Sequence, residues 1–106
     1  MSNETQQKDV ATALAALGHE ARLTVFRLLV RSGRDGLTVG QIQEHVSFPP
    51  STLAHHLRTL VNAGLVVQEK HGREVISRPD FDVMDATLAF LTSECCHGVS
   101  TSSDAA

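Results

Sequence analysis

Two adjacent cysteines near the end of the chain, Cys95 and Cys96, are residues whose type and spacing could do chemistry. Thiolates are soft ligands that favour thiophilic ions, and trivalent arsenic or antimony fits that preference. A trans peptide holds neighbouring Cα atoms ~3.8 Å apart, whereas disulfides prefer roughly 4.4 to 6.8 Å, so a bond within the pair is disfavoured. In a regular helix the two side chains would diverge by about 100°. The pair therefore predicts a site for a soft ion, formed where a helix end can reshape.

The third donor of such a site is left open by the sequence, which contains only these two cysteines. His97, a cysteine of a second subunit or an external thiol could supply it. Another thiophilic metal, a redox or persulfide response, and a purely structural role for the two thiols stay as alternatives.

A thiol enzyme that uses Cys95 as its nucleophile is the main alternative from another class of function. No glycine-rich anion loop precedes the cysteines, and no Lys or Arg lies within fifteen residues to lower their pKa. The acidic residues nearby would raise it instead. We therefore expect that the chain is not an enzyme and requires no cofactor.

A second set of candidate residues lies in the segment that begins at Ser51. On a helical wheel its side chains form a polar stripe and an opposite apolar stripe, which are Ser51, His55, Arg58 and Asn62 against Leu53, Leu57, Leu60 and Gly64. A DNA-recognition helix needs an apolar face to seat it on the core, and short polar or cationic groups that reach phosphates and base edges. The segment therefore has the pattern of a recognition helix.

A basic hairpin follows that helix. The β-prone runs 65–67 and 74–76 flank a glycine-containing turn at 70–73, where Lys70, His71 and Arg73 could meet the DNA backbone or the minor groove. The net charge of −3 argues weakly against DNA binding. The charges are unevenly distributed, however: basic residues concentrate in 51–78, whereas residues 80–106 contain five acids and no Lys or Arg. A winged helix that only dimerises or binds protein would predict a neutral or acidic stripe.

The elements that position these residues are mainly helical. Apolar periodicity and start and stop signals predict helices over 10–17, 20–31, 38–47, 50–63 and from Asp80 or Asp82 to about residue 96, with the hairpin before the last. The expected fold is a winged helix-turn-helix with four helices, two strands and a fifth helix in that order. Thr38 and Gln41 have capping-box spacing, and Gly64 is placed to cap the fourth helix.

The length of 106 residues suits one compact domain, which we place at 1–98, followed by a flexible tail at 99–106. The first ten residues lack the pattern of a signal peptide, and no apolar run approaches the ~20 residues that span a membrane. The chain is therefore expected to be cytoplasmic, without membrane contact. Reduced thiols rather than a disulfide framework are expected there.

Four segments of the chain carry a family resemblance: Ala16-Leu17-Gly18-His19-Glu20-Ala21-Arg22-Leu23, Ser51-Thr52-Leu53-Ala54-His55-His56-Leu57, Ala63-Gly64-Leu65-Val66 and Gly72-Arg73. Together they resemble the ArsR/SmtB family of winged-helix repressors. The similarity runs from about residue 10 to residue 96. It implies a homodimer whose first and last helices form the interface, and which leaves double-stranded operator DNA when an inducer binds. Members with a paired-cysteine end to the last helix resemble arsenite-responsive repressors, so the resemblance implies release by trivalent arsenic or antimony.

Carried over by position, the resemblance implies a set of DNA contacts, with Cys95 and Cys96 as inducer ligands. The DNA set consists of Ser51, His55 and Arg73, with Thr52, Arg58 and Lys70 as neighbours. Two positions depart from the family pattern: Ala54 replaces a frequent DNA-contacting serine, and Ser77 replaces a frequent wing tyrosine. His56 lies off the stripe and is expected to be structural.

Overall fold

The computed structural model describes residues 3–101, which form five α-helices and a small sheet. The helices are α1 Asn3–Leu17, α2 Glu20–Ser32, α3 Val39–Gln43, α4 Pro50–Asn62 and α5 Phe81–Thr92. The strands are β1 Leu37–Thr38, β2 Val66–His71 and β3 Glu74–Pro79. This element order confirms the predicted winged helix-turn-helix. Within the described range, no helix has both the length and the apolar character that a membrane span needs.

The sheet has three antiparallel strands in the order β1-β3-β2, whereas the sequence predicts only the hairpin of β2 and β3. The added strand pairs Leu37 with Ser77 and Thr38 with Ile76. Gly36 precedes it with φ of 72°, and a Cβ atom there would lie 2.5 Å from the carbonyl oxygen of Ser77. The extra strand therefore depends on a close backbone approach that only glycine permits. A strand of two residues is too short to show a hydrophobic period.

One core holds these elements together, formed mainly by the inner faces of α2 and α4. Its buried side chains are Ala13, Ala16, Val25, Phe26, Leu29, Ile42, Leu53, Leu57, Leu60, Leu65 and Val66. Burial of an aliphatic side chain contributes roughly 1.5–3 kcal/mol, so the packing of α4 on α2 dominates the stability of this small domain.

The predicted caps form as expected. The Thr38 hydroxyl accepts a hydrogen bond from the Gln41 amide, and the Gln41 side chain accepts one from the Thr38 amide. After α4, Gly64 adopts φ of 82°, and the Leu65 amide donates back to the Leu60 carbonyl, which is a Schellman ending. Asp80 caps α5 by accepting from the Val83 amide at 3.2 Å.

Three predicted helix bounds are wrong. Helix α1 already begins at Asn3, because its exposed polar first turns continue the helix without contributing an apolar pattern. Helix α3 ends at Gln43. A turn with 3₁₀-type hydrogen bonding follows it, in which the His45 amide donates to the Ile42 carbonyl. Helix α5 ends at Thr92 rather than near Cys96.

Three residues of the predicted tail at 99–106 belong to the part of the chain that the structure describes. Residues 99–101 are exposed and lack regular secondary structure. The remainder of that predicted tail, 102–106, lies outside the described residues.

The close approach at Gly36 predicts a large loss of stability on substitution. Gly36→Ala should lower the free energy of unfolding by about 2 to 4 kcal/mol, because the new methyl group would clash with Ser77 and Ile76 in an already left-handed conformation. Gly33→Ala is the matched control: Gly33 shares the φ of 72°, but nothing lies within 4 Å of its added Cβ. Urea denaturation of both variants checks this, and equal losses would contradict the role of the contact.

Candidate nucleic-acid interface and thiol pair

Helix α4 presents two different faces, as the helical wheel predicts. Leu53, Leu57 and Leu60 are buried in the core. Ser51 and His55 are exposed on the outer side, and so are Arg58 and Asn62. Ala54, which departs from the family pattern, is also exposed, and Thr52 is half-buried. The outer face therefore carries hydroxyl, imidazole and guanidinium groups that are free of the core, which are the groups that contact phosphates and base edges.

The chain entering α4 is fixed at both ends of the connection from α3. The Gln43 side-chain amide donates to the Phe48 carbonyl at 2.8 Å, and Pro50 occupies the first turn of α4. The Leu53 amide donates to the Pro49 carbonyl, which starts the helical bonding at the proline. Because proline pre-sets the helical φ and lacks an amide hydrogen, Pro49 and Pro50 remove two of the donors that a helix start leaves unpaired. The result is a tight helix-turn-helix.

The wing is a regular hairpin in which His71 pairs with Glu74 across a two-residue turn, Gly72-Arg73. Gly72 has φ of 64° and Arg73 has no positive φ, which matches the type II′ turn that suits a twisted hairpin. The predicted turn at 70–73 is therefore too long, since Lys70 and His71 are paired strand residues. Lys70 and Arg73 are exposed, and neither forms an ion pair within residues 3–101.

The wing carries a cluster of charged side chains that was not predicted from the sequence. Glu69 on β2 binds the Arg78 guanidinium on β3 and lies 3.1 Å from Nε2 of His71. The hydrogen bond from Arg78, followed by that from His71, lowers the pKa of Glu69 to about 2. Arg78 is therefore paired and is not a free cation for DNA. Diagonal residues on one face of an antiparallel pair are neighbours, so this ion pair can be found only once the strand register is known.

Ser77 and His56 both point into the protein. Ser77 is fully buried and its hydroxyl accepts from the Gln68 side chain at 3.0 Å, so it does not replace the wing tyrosine as a DNA contact. His56 is 5% exposed, and its ring lies among those of His19, Phe48 and His55. The burial agrees with the expected structural role of His56.

The two cysteines lie just beyond α5, in a turn held by main-chain hydrogen bonds. The Cys95 amide donates to the Thr92 carbonyl at 2.9 Å, and Cys96 adopts φ of 67°. This left-handed residue reverses the local winding, so the side chains converge instead of diverging as they would in a helix. Both thiols are exposed and their Sγ atoms lie 3.0 Å apart. Two thiolates that share one ion at ~2.3 Å each lie within about 4.6 Å of one another, and this pair satisfies that limit.

A complete metal site is not assembled in the part of the chain that the structure describes. No group of three or more His, Cys, Asp or Glu side chains there could hold an ion, so His97 is not placed with the thiols as a third ligand. The hydrogen bond with Cys96 raises the pKa of Cys95. A raised pKa keeps the thiol protonated, whereas a catalytic nucleophile and a metal ligand both act as the thiolate, so either role requires Cys95 to lose this proton.

The fold and this arrangement of groups define a winged helix-turn-helix DNA-binding protein. A family model described as a helix-turn-helix domain matches residues 17–69, half of the chain. The chain is 33% identical over 88 residues to the HTH-type transcriptional regulator NmtR of Mycobacterium tuberculosis, covering 83% of this chain and 68% of that protein. It is 30% identical over 78 residues to the arsenical resistance operon repressor of Staphylococcus xylosus, covering 74% and 72%.

Among solved structures, the chain resembles an ArsR-like transcriptional regulator from Rhodococcus sp. RHA1. The TM-score is 0.73 at 26% identity, over 82% of this chain and 79% of that one. The chain therefore belongs to the ArsR family of winged helix-turn-helix transcriptional regulators. Its relatives are DNA-binding regulators, so the chain is a regulator and not an enzyme.

Proposed function

We propose that this regulator is a repressor that leaves its operator when trivalent arsenic or antimony binds Cys95 and Cys96. The observation that carries the inducer assignment is the convergence of two exposed thiols to 3.0 Å at the end of α5. Soft thiolates favour thiophilic ions over the harder ions that carboxylates and water select. The similarity to a protein named as an arsenical resistance operon repressor supports the same inducer.

The proposed DNA surface combines the outer face of α4 with the tip of the wing. Ser51, Thr52, His55 and Arg58 would enter the major groove from α4, and Lys70 and Arg73 would meet the flanking backbone. The buried leucines of α4 leave these groups outward, and the absence of ion pairs on Lys70 and Arg73 within residues 3–101 leaves their charges available. A protein that acts on operator DNA works where that DNA is, so we place this regulator in the cytoplasm.

We propose that the regulator is a homodimer joined through α1 and α5. Helix α5 buries only Thr87 fully, and its Leu88 and Leu91 are each 58% exposed. Leu14 of α1 is 38% exposed, and a groove of about 580 Å³ runs between α1, the end of α4 and α5. An apolar helix face left this open in a single chain is typical of a surface that a partner covers.

Inducer binding would reach the DNA through this interface. The thiols lie just beyond the end of α5. An ion bound by both of them would therefore constrain the end of a helix in the proposed dimer interface. A ligand shifts an equilibrium only through its different affinity for two states, and here the two states would differ in how α5 ends and packs against its partner. The third donor would be His97 after rearrangement, a cysteine of the other subunit, or an external thiol.

A redox response is the second candidate, and the same 3.0 Å approach of the sulfur atoms favours it. Hydrogen peroxide could oxidise the two thiols to a disulfide, with two thiol protons and two electrons reducing the peroxide to water. The left-handed Cys96 removes the helical divergence of the two side chains, whereas the ~3.8 Å between adjacent Cα atoms still disfavours the bond.

Substitution of the exposed arginines tests the DNA surface. Arg58→Ala and Arg73→Ala should each weaken operator binding about 5- to 100-fold and lower the salt slope by about 2, because a dimer carries each side chain twice. Fluorescence anisotropy with the DNA upstream of the chain's own coding sequence measures both. Arg27→Ala is the control, since Arg27 is exposed on α2 outside the proposed surface. Equal losses in all three variants would mean non-specific attraction.

Charges placed on α5 test the dimer. Leu88→Glu combined with Leu91→Glu should give a monomer by light scattering and weaken operator binding, because buried acids without partners oppose association. Leu23→Glu is the control, because Leu23 is also an exposed leucine, at 42% exposure, but lies on α2. A double variant that stays dimeric would place the interface elsewhere.

Release from DNA tests the inducer. Arsenite should lower operator affinity of the reduced dimer by roughly 5- to 150-fold, whereas zinc should not. Cys95→Ser with Cys96→Ser should bind DNA normally and lose the response. Release by zinc alone would refute the thiol sensor, and release by peroxide alone, with a disulfide found by mass spectrometry, would favour the redox candidate. Loss of DNA binding in the double variant would make the cysteines structural.

A further inference from the structure

His56 is a buried histidine where the start of α2, the α3–α4 connection and α4 meet. Only 5% of it is exposed, and its Nδ1 atom has no hydrogen-bond partner among residues 3–101. Its ring stands edge-on to Phe48 at 5.5 Å and lies 4.8 Å from the ring of His19. A buried polar atom without a partner is already unfavourable, and an added charge there would be far more so. The packing of α4 at this point therefore requires a neutral imidazole.

The charged and titratable groups that act on His56 are all basic. His19 and Arg22 face it from the start of α2, and His55 faces it from α4 itself. Phe48, the contact from the α3–α4 connection, is uncharged, and no carboxylate of the described residues acts on the ring. Burial, followed by these three groups, lowers the pKa of His56 below its ordinary 6.5.

The neighbouring groups cannot easily move away from a charge on His56. The Arg22 side chain is fixed by a 2.7 Å hydrogen bond from Nε to the Ala16 carbonyl. His19 is the N-cap of α2, where its Nδ1 accepts from the Ala21 amide at 3.2 Å. A protonated His56 must therefore move toward water to avoid the unfavourable buried charge. Because His56 belongs to α4, the helix must move with it.

We propose that the packing of α4 against α2 depends on the protonation of His56, so that acidification loosens α4 from α2 and weakens operator binding. This rests on the proposed function, in which the outer face of α4 reads DNA. His56 is a positioning residue, since it faces the interior while adjacent His55 lies on the outer face. Operator release would then respond to pH independently of Cys95 and Cys96.

The direction of the effect follows from where the protons bind. An unfolded histidine takes up its proton near pH 6.5, whereas folded His56 requires a more acidic solution. Between these two points the unfolded chain holds more protons than the folded chain, so the free energy of unfolding decreases as the pH falls. The stability contributed by neutral His56 is complete above about pH 6.5 and is lost below it.

Operator affinity measured from about pH 8 to about pH 5.5 at fixed salt tests the proposal. The wild-type dimer should lose about fivefold or more in affinity on acidification. His56→Phe keeps the ring packing but cannot take a proton, so its operator affinity should not fall on acidification. His45→Gln, an exposed histidine bonded to its own helix turn, is the control and should behave as wild type. Identical profiles for wild type and His56→Phe would overturn the proposal.

Two further measurements keep the test independent of operator binding and of how well His56→Phe folds. Urea denaturation of the wild type should show stability falling below about pH 6.5, and a flat profile would overturn the proposal. His19→Asn retains a capping oxygen while removing the ring that faces His56. It should therefore raise the pKa of His56 and reduce the pH dependence of the free energy of unfolding. NMR of the imidazole protons measures that pKa. An unchanged His56 titration would contradict the coupling. Absence of operator binding at every pH would instead refute the proposed function.

Discussion

The packing of three leucines of α4 into the core is the interaction on which the remaining structure depends. Leu53, Leu57 and Leu60 are buried in one cluster with Val25 and Leu29 of α2. At roughly 1.5–3 kcal/mol for each buried side chain, they hold the rotation of α4 about its own axis. Because a helix has a fixed period, this rotation also decides which side chains point outward. The exposed stripe on α4 is therefore a consequence of the leucine spacing.

The same division between covered and open apolar faces organises the other end of the molecule. Helices α2 and α4 bury most of their apolar side chains within one chain, whereas Leu88 and Leu91 of α5 are exposed. Placing the thiols directly after this open helix puts a reactive group beside the surface on which assembly would depend. The two ends are linked through the groove where α1 and α5 approach the end of α4.

Much of the fold could be predicted because it rests on local physics. The leucine period, the Thr38 capping box and the Gly64 ending each require only neighbouring residues, and all three are confirmed. The short β1 strand could not be predicted, because its pairing depends on Gly36 approaching Ser77 from far along the chain.

The candidate site shows the same limit. The outward stripe of α4 and the exposed wing cations follow from periodicity and turn chemistry. The pairing of Glu69 with Arg78 needs the strand register, and the convergence of the two thiols needs the left-handed Cys96. The wheel placed His56 off the polar stripe, but its unpartnered Nδ1 and basic neighbours emerge only when α2 is packed against α4.

The most direct test of this account is the change in backbone NMR chemical shifts of the dimer on adding operator DNA. If the leucine packing presents the outer face of α4 to DNA, the largest changes should fall at Ser51, His55 and Arg58 and at the wing tip around Arg73. The buried side of α4 should change little, since the helix need not leave the core. Changes concentrated on α2 or α5, with the outer face of α4 unaffected, would contradict the account.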